Sequence, residues 1–177
     1  QIIVSTNDHN VAKLANQYPV TSLERPDDIS NDLATADSVI AHTIEVAKPS
    51  DGAIIVYLQP TSPLRKATHI NESLDIFLQT RPKAIVSVRP ASSEIFKAYK
   101  LDNNGSLTGL FGPDAPYCAR QQIPPIFLPN GAIYIFTVAD FLIGNRQIPR
   151  SGISPFIMDD IASLDIDTAE DLALASA

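Results

Sequence analysis

A single cysteine, Cys118, stands among the 177 residues, so no internal disulfide can form and no Cys-based zinc site can begin. No apolar run approaches the roughly 18 residues of a membrane span, and no stretch has the charged start and apolar centre of a signal peptide. These absences point to a soluble, cytoplasmic protein with no membrane partner. Positive charge is scarce too: 13 Lys and Arg against 20 Asp and Glu leave a net charge of -7. That balance excludes the broad basic face that neutralises a nucleic-acid backbone. An anionic substrate therefore has to be met by a few local cations or by a metal. His9, His42 and His69 have no ligand spacing. The sequence has no GxSxG, HExxH, complete Walker loop or GxGxxG, so hydrolase, metalloprotease and dinucleotide-binding readings have no support.

What is present is an ordinary globular balance, with 45% hydrophobic and 19% charged residues, enough for one core. One domain is expected over residues 1–177. Residues 2–5 form a β-branched run, followed by the possible helix caps Asn7 and Asp8 and by Val11, Leu14, Ala15 and Tyr18 at helical spacing. Val39, Ile40, Ile44 and Ala47 predict a second helix after the turn-rich stretch 24–31. The continuous apolar run 53–58 predicts a parallel strand covered on both faces. Ala67, Ile70, Leu74, Phe77 and Leu78 then give a third helix, and residues 84–88 another buried strand. This βαβα-like order favours an α/β fold with a mainly parallel sheet and helices on both faces. Asp102-Asn103-Asn104-Gly105 is a hairpin-turn signal for an arm leaving the main sheet. The prolines at 113, 116, 124, 125 and 129 predict a long irregular segment. A strand at 132–136, a short helix at 138–143, a strand at 155–158 and a last helix from about Thr168 complete the pattern.

Two segments carry candidate chemistry. Asp165 and Asp167, at i and i+2 on an extended stretch, point to one side and suit a magnesium ion shared with substrate phosphates. The alternative is that Asp167 caps a helix, with Glu170 three residues on. Gln59-Pro60-Thr61-Ser62-Pro63-Leu64-Arg65 follows a predicted strand, where open α/β sheets bind ligands, and offers an amide, two hydroxyls and a guanidinium. It is equally readable as a proline-stiffened turn. Lys97, Arg120 and Gln121 are candidate contacts to a carboxylate or phosphate. Asn130-Gly131 is either a close backbone approach to a ligand or a plain turn.

Leu58-Gln59-Pro60-Thr61-Ser62-Pro63-Leu64-Arg65 resembles the LQPTSPLR motif of CMP-N-acylneuraminate synthetases, the acylneuraminate cytidylyltransferase family. Pro129-Asn130-Gly131-Ala132-Ile133-Tyr134-Ile135 is similar to that family's NGAIYI segment, and Leu164-Asp165-Ile166-Asp167-Thr168 to its IDIDT metal motif. Ile2-Ile3-Val4-Ser5-Thr6 and Glu24-Arg25-Pro26 resemble weaker landmarks. The resemblance implies a Rossmann-like nucleotidyltransferase fold and a homodimer joined partly by a protruding hairpin. It implies CTP and a sialic acid as substrates, with Mg2+ held by Asp165 and Asp167. Those two aspartates and Arg120 would be catalytic. Arg25, Gln59, Thr61, Ser62, Arg65, Lys97, Gln121, Asn130, Gly131 and Tyr134 would bind nucleotide and sugar.

The family pattern also has a first strand and a Gly-, Arg- and Lys-rich phosphate loop of the type PARGGSK, for which the 177 residues contain no match. The expectation is an N-terminally truncated chain that by itself binds CTP weakly. Leu128 stands where many members carry an Arg for the sugar carboxylate. Another nonulosonic acid such as legionaminic acid, or a non-catalytic homologue without the phosphate loop, are the alternative readings.

Overall fold

The computed structural model describes residues 1–31 and 33–176. In chain order the elements are β1 (Ile3–Thr6), α1 (His9–Ala15), β2 (Thr21–Glu24), α2 (Ala36–Ala47), β3 (Ile54–Tyr57), α3 (Ala67–Thr80) and β4 (Ala84–Pro90). There follow β5 (Tyr99–Leu101), β6 (Leu107–Gly109), β7 (Phe127–Thr137), α4 (Val138–Ile143), β8 (Ile153–Ile157) and α5 (Ala169–Ala175). Strands β3, β7, β4 and β8 form a four-stranded sheet in that order, while β1 pairs in parallel with β2 and β5 pairs antiparallel with β6. The chain divides into two compact units, each built from separated stretches of sequence.

The first unit comprises Gln1–Tyr57, Pro82–Ala84 and Ile135–Ile153. Asp8 caps α1 by accepting from the backbone of Asn10 and Val11, as its position before the apolar stripe predicts. Strand β2 lies in register with β1, Ile3 opposite Thr21, and was not expected, because four residues with exposed ends carry too little alternation to read. Phe136 and Phe141 stack with centroids 5.7 Å apart and, with Ile40 and Val138, are buried in the core of this unit. Asp37 in the first turn of α2 accepts from the Ile148 backbone at 2.9 Å and from Arg150 at 2.8 Å.

The second unit comprises Leu58–Arg81, Ile85–Tyr134 and Ser154–Ala177. Its core gathers Phe77 of α3, Ile85 and Val88 of β4, Ala132 and Ile133 of β7, and Phe156 and Met158. The Met158 backbone N–H donates to the Val88 carbonyl at 2.8 Å. The turn signal at 102–105 does close a hairpin: Gly105 sits at φ 80°, and Asp102 accepts from the backbone of Asn104 and Ser106.

Three local expectations are corrected. The run 53–58 is not a fully buried strand: β3 lies at the edge of its four-stranded sheet and its residues are only half-buried. A continuous apolar run reports hydrophobicity, not how many neighbours the strand finds. The proline-rich segment is irregular only as far as residue 126, since β7 begins at Phe127 and accommodates Pro129 near its start. Finally, the cap of the last helix is Thr168 with Asp171, not Asp167 with Glu170.

Candidate functional site

Gln59, Thr61, Ser62, Arg65, Asn130, Gly131, Tyr134, Asp165 and Asp167 all lie in the second unit. Their convergence is built from backbone as much as from side chains. The Ile166 N–H donates to the Thr61 carbonyl at 2.8 Å, joining the aspartate segment to the 59–65 loop. The Ser62 hydroxyl, buried, donates to the Asn130 carbonyl at 3.4 Å. Arg65 Nη1 donates to the carbonyls of Gln59 at 3.1 Å and Ala132 at 2.7 Å, tying the loop to β7. Burial lowers the Arg65 pKa, yet from so high a starting value that the guanidinium stays charged.

Asn130 is the centre of a buried polar knot. Its Oδ1 accepts from the Ser87 hydroxyl at 2.6 Å and from the Ala132 N–H at 3.2 Å. Its Nδ2 donates to Ser163 Oγ at 2.8 Å and, more weakly, to Met158 Sδ at 3.4 Å. An asparagine amide has two acceptor and two donor positions, so this side chain has none left for a ligand. Asn130 therefore shapes the site from behind, a role that its place in a sequence motif does not distinguish from ligand contact.

Gly131 follows with φ 73°, a left-handed kink inside a strand that an L side chain rarely adopts. A Cβ there would overlap Gln59 Oε1 and would stand 3.6 Å from Asp165 Oδ2. The absence of a side chain is thus what leaves room for the Gln59 amide against the backbone of β7, while the Asp165 carboxylate stands at ordinary contact distance. Asn130-Gly131 lies inside β7 rather than in a plain turn, and the atoms beside it are those of Gln59 and Asp165.

The aspartates differ from each other. Asp165 is half-buried, and its Oδ1 is buried with no hydrogen-bond partner. A carboxylate oxygen kept from water without a donor is costly unless something else satisfies it. Asp167 is exposed, and its backbone N–H donates to Asp171. Asp171 is the residue that completes the capping box with Thr168, and hydrogen bonds from Thr168 hold its carboxyl below the ordinary range. Asp167 is left without a capping duty. The pair fits magnesium: hard oxygen donors, one of them an orphaned buried oxygen, with most of the coordination left to water and phosphate. Among the described residues no group of three or more His, Cys, Asp or Glu side chains could hold a metal.

The remaining predicted residues are not drawn into this knot. Lys97 ends a short 3-10 turn, Ser93–Lys97, and Arg120 and Gln121 lie exposed on another, Arg120–Gln122. Arg25 belongs to the first unit, where its Nε donates to Ser30 Oγ at 3.0 Å. A shallow cleft there is lined by Glu24, Arg25, Pro26 and Asp27, with more negative than positive charge, and has none of the character of a triphosphate cradle. Ser87 and Ser163 were missed by sequence reasoning. A buried serine in a strand and another ahead of an aspartate pair have no local signature, and only the fold brings them to Asn130.

A scan of the sequence against protein-family models finds no match. Against curated proteins, the chain is 32% identical over 177 residues to the N-acylneuraminate cytidylyltransferase of Escherichia coli O18:K1:H7, covering 99% of this chain and 41% of that protein. It is 34% identical over 185 residues to the CMP-N,N'-diacetyllegionaminic acid synthase of Legionella pneumophila, covering 98% of this chain and 75% of that one. The N-acylneuraminate cytidylyltransferase of Streptococcus agalactiae serotype V matches at 28% identity over 96% of this chain and 40% of its own length. The chain thus spans less than half of the Escherichia and Streptococcus proteins and three quarters of the Legionella one. Of solved structures, CMP:2-keto-3-deoxy-manno-octonic acid synthetase complexed with CTP superposes with a TM-score of 0.65 at 14% identity, over 99% of this chain and 78% of that one. The 4-diphosphocytidyl-2C-methyl-D-erythritol synthase follows at 0.59 and 11%, over 98% of this chain and 78% of its own. At such identities the likeness is one of fold alone, an α/β architecture with a mainly parallel sheet.

Proposed function

This chain belongs to the acylneuraminate cytidylyltransferase family, and from that premise we propose that it transfers CMP from CTP to the anomeric hydroxyl of N-acetylneuraminic acid, releasing pyrophosphate. The observation that supports this reading is the meeting of three segments distant in sequence, 59–65, 130–132 and 163–166, around Gly131, with Gln59 Oε1 and Asp165 Oδ2 beside it.

In this reading the sugar hydroxyl oxygen attacks the α-phosphorus, a new P–O bond forms, and the bond to the β-phosphate breaks as pyrophosphate leaves. Such transfers depend on positioning and charge neutralisation more than on covalent help from the protein. Asp165 and Asp167 would hold a magnesium ion, whose charge, when bound, offsets that of the phosphates. Gln59, Thr61, Ser62 and Gly131 form the wall beside that carboxylate. Arg65 and Asn130 hold the wall in place, and Arg120 is assigned the charge that builds on the phosphates. Lys97, Gln121 and Tyr134 are assigned to the sugar.

Tyr99, Leu101, Leu107, Leu110 and Phe111 are exposed around the β5–β6 hairpin, which supports a homodimer joined through that arm. Among the described residues no helix is long and apolar enough to cross a membrane, and with the single cysteine the proposed location is the cytoplasm.

A second reading, with N,N'-diacetyllegionaminic acid as acceptor, is favoured by the Legionella relative, which matches at 34% over three quarters of its length. The test is pyrophosphate release by the complete protein from CTP and a divalent cation, with N-acetylneuraminic acid, N,N'-diacetyllegionaminic acid, Kdo or glucose-1-phosphate as acceptor. Release is expected only with the first two, and their ratio decides between the readings. Equal release with Kdo overturns the specificity, and no release with any acceptor favours a non-catalytic homologue.

A further inference from the structure

We propose that Ser163, with Asn130 and Ser87 behind it, is a positioning residue that sets the Asp165 carboxylate for a divalent cation; this rests on the metal reading given above. The hydrogen-bond directions in the knot are forced. Asn130 Oδ1 must face the Ala132 N–H, since the flipped amide would set donor against donor. Its Nδ2 can then only donate to Ser163 Oγ, at 2.8 Å. On the other side the Ser87 hydroxyl donates to Oδ1 at 2.6 Å while its oxygen accepts from the Ile133 N–H at 2.7 Å. A one-way chain therefore runs from the backbone of β7, through Ser87 and Asn130, to a buried hydroxyl two residues before Asp165.

Ser163 is delivered there by a single turn. Asp159 accepts from the Ala162 N–H at 2.7 Å through its carboxylate, and its carbonyl accepts from the Ser163 N–H at 3.0 Å. Beyond Asp165, the Ile166 N–H is held by the Thr61 carbonyl at 2.8 Å. Asp165 is thus pinned two residues before and one residue after, yet its own buried Oδ1 has no partner. Backbone fixed that firmly around an unsatisfied carboxylate orients it for a ligand, because a purely structural aspartate at this depth would be hydrogen-bonded itself.

The test is a Mn2+ titration of the complete protein, followed by electron paramagnetic resonance with and without CTP, together with Tm and the kcat and KM for CTP. Ser163→Ala is expected to weaken Mn2+ binding about tenfold, because it removes the anchor that fixes the backbone two residues before Asp165. Ser163→Thr, which keeps the hydroxyl, is expected to restore it, and KM for CTP at saturating metal is expected to stay within about twofold of the unaltered protein. Ser87→Ala serves as an independent break further along the chain, with a smaller loss of the same sign. Unchanged Mn2+ affinity in folded Ser163→Ala overturns the inference while leaving the proposed reaction standing. So does a loss that Ser163→Thr fails to restore, or absence of Mn2+ binding in the unaltered protein. If the unaltered protein binds Mn2+ and loses it on Ser163→Ala, yet transfers CMP to no nonulosonic acid, the proposed reaction fails and the positioning role stands.

Discussion

The knot around Asn130 and the arm region carrying Lys97 and Arg120 lie in the same unit and treat polar side chains in opposite ways. In the knot, Ser62, Ser87, Asn130 and Ser163 are buried and bonded to one another or to backbone, and Asp165 alone keeps an oxygen without a partner. Around the arm, Lys97 is half-buried at the end of a short turn, while Arg120 and Gln121 face solvent. Residues that the family resemblance presents as equals thus divide into those that build a wall and those left to touch something else. A saturated amide cannot take a ligand, and an exposed guanidinium contributes little to the fold, so the two regions should fail differently when cut.

The largest expected effect falls where the knot ends in an unsatisfied group. Asp165→Asn and Asp167→Asn should each lower the rate of CMP transfer by about 100-fold or more while leaving Tm near that of the unaltered protein. Asp167→Asn is the sharper case, because Thr168 and Asp171 already cap α5. Retention of most turnover in that variant would remove Asp167 from the metal reading.

A paired measurement addresses the contrast itself. Asn130→Ala strands the Ser87 hydroxyl and the Ala132 N–H in the core and should cost about 3 kcal/mol in urea denaturation. Arg120→Ala should change stability by less than ~0.5 kcal/mol but lower kcat/KM about tenfold. A stable Asn130→Ala or a destabilised Arg120→Ala would break the division between wall and contact.

The smallest effect is a local pH response. The Thr168 hydroxyl, then the backbone N–H groups of Thr168 and Asp167, hold the Asp171 carboxyl below its ordinary value of 3.8. A group depressed in the folded state stabilises fully above that ordinary value and loses its contribution as pH falls through the lowered one. The amide signals of Asp167 and Thr168 should therefore titrate with a midpoint under 3.8 in NMR, and Asp171→Asn should abolish the transition. A midpoint at or above that value would mean that the capping box does not form in solution.

Strongly periodic segments were legible. The stripe Ala67, Ile70, Leu74, Phe77 and Leu78 became α3, and residues 138–143 became α4, since a helix reports its buried face in every turn. The hairpin at 102–105 was legible because Gly105 supplies the positive φ that the turn needs. Strand β2 was not, because a four-residue strand with exposed ends carries no periodic signal. Nor was the cap of α5: Asp167 and Thr168 are adjacent and both suitable, so backbone geometry chose between them.

At the site, residue types alone left Asp165 and Asp167 open between metal ligand and helix cap, and Gln59 and Gly131 open between ligand contact and turn, and the motif resemblance named the family. Composition alone set the sign of the charge problem, with 13 cations against 20 carboxylates. Only the tertiary structure decided which polar residues face inward. Asn130 and Arg65 hold backbone carbonyls and hydroxyls, Ser87 and Ser163 join them without any sequence signal, and Asp165 keeps one oxygen unsatisfied. The reason is physical: hydrogen bonds between residues 43 and 33 positions apart, as in Ser87–Asn130 and Asn130–Ser163, depend on where the folded chain returns to itself. Nothing local in the sequence encodes that return.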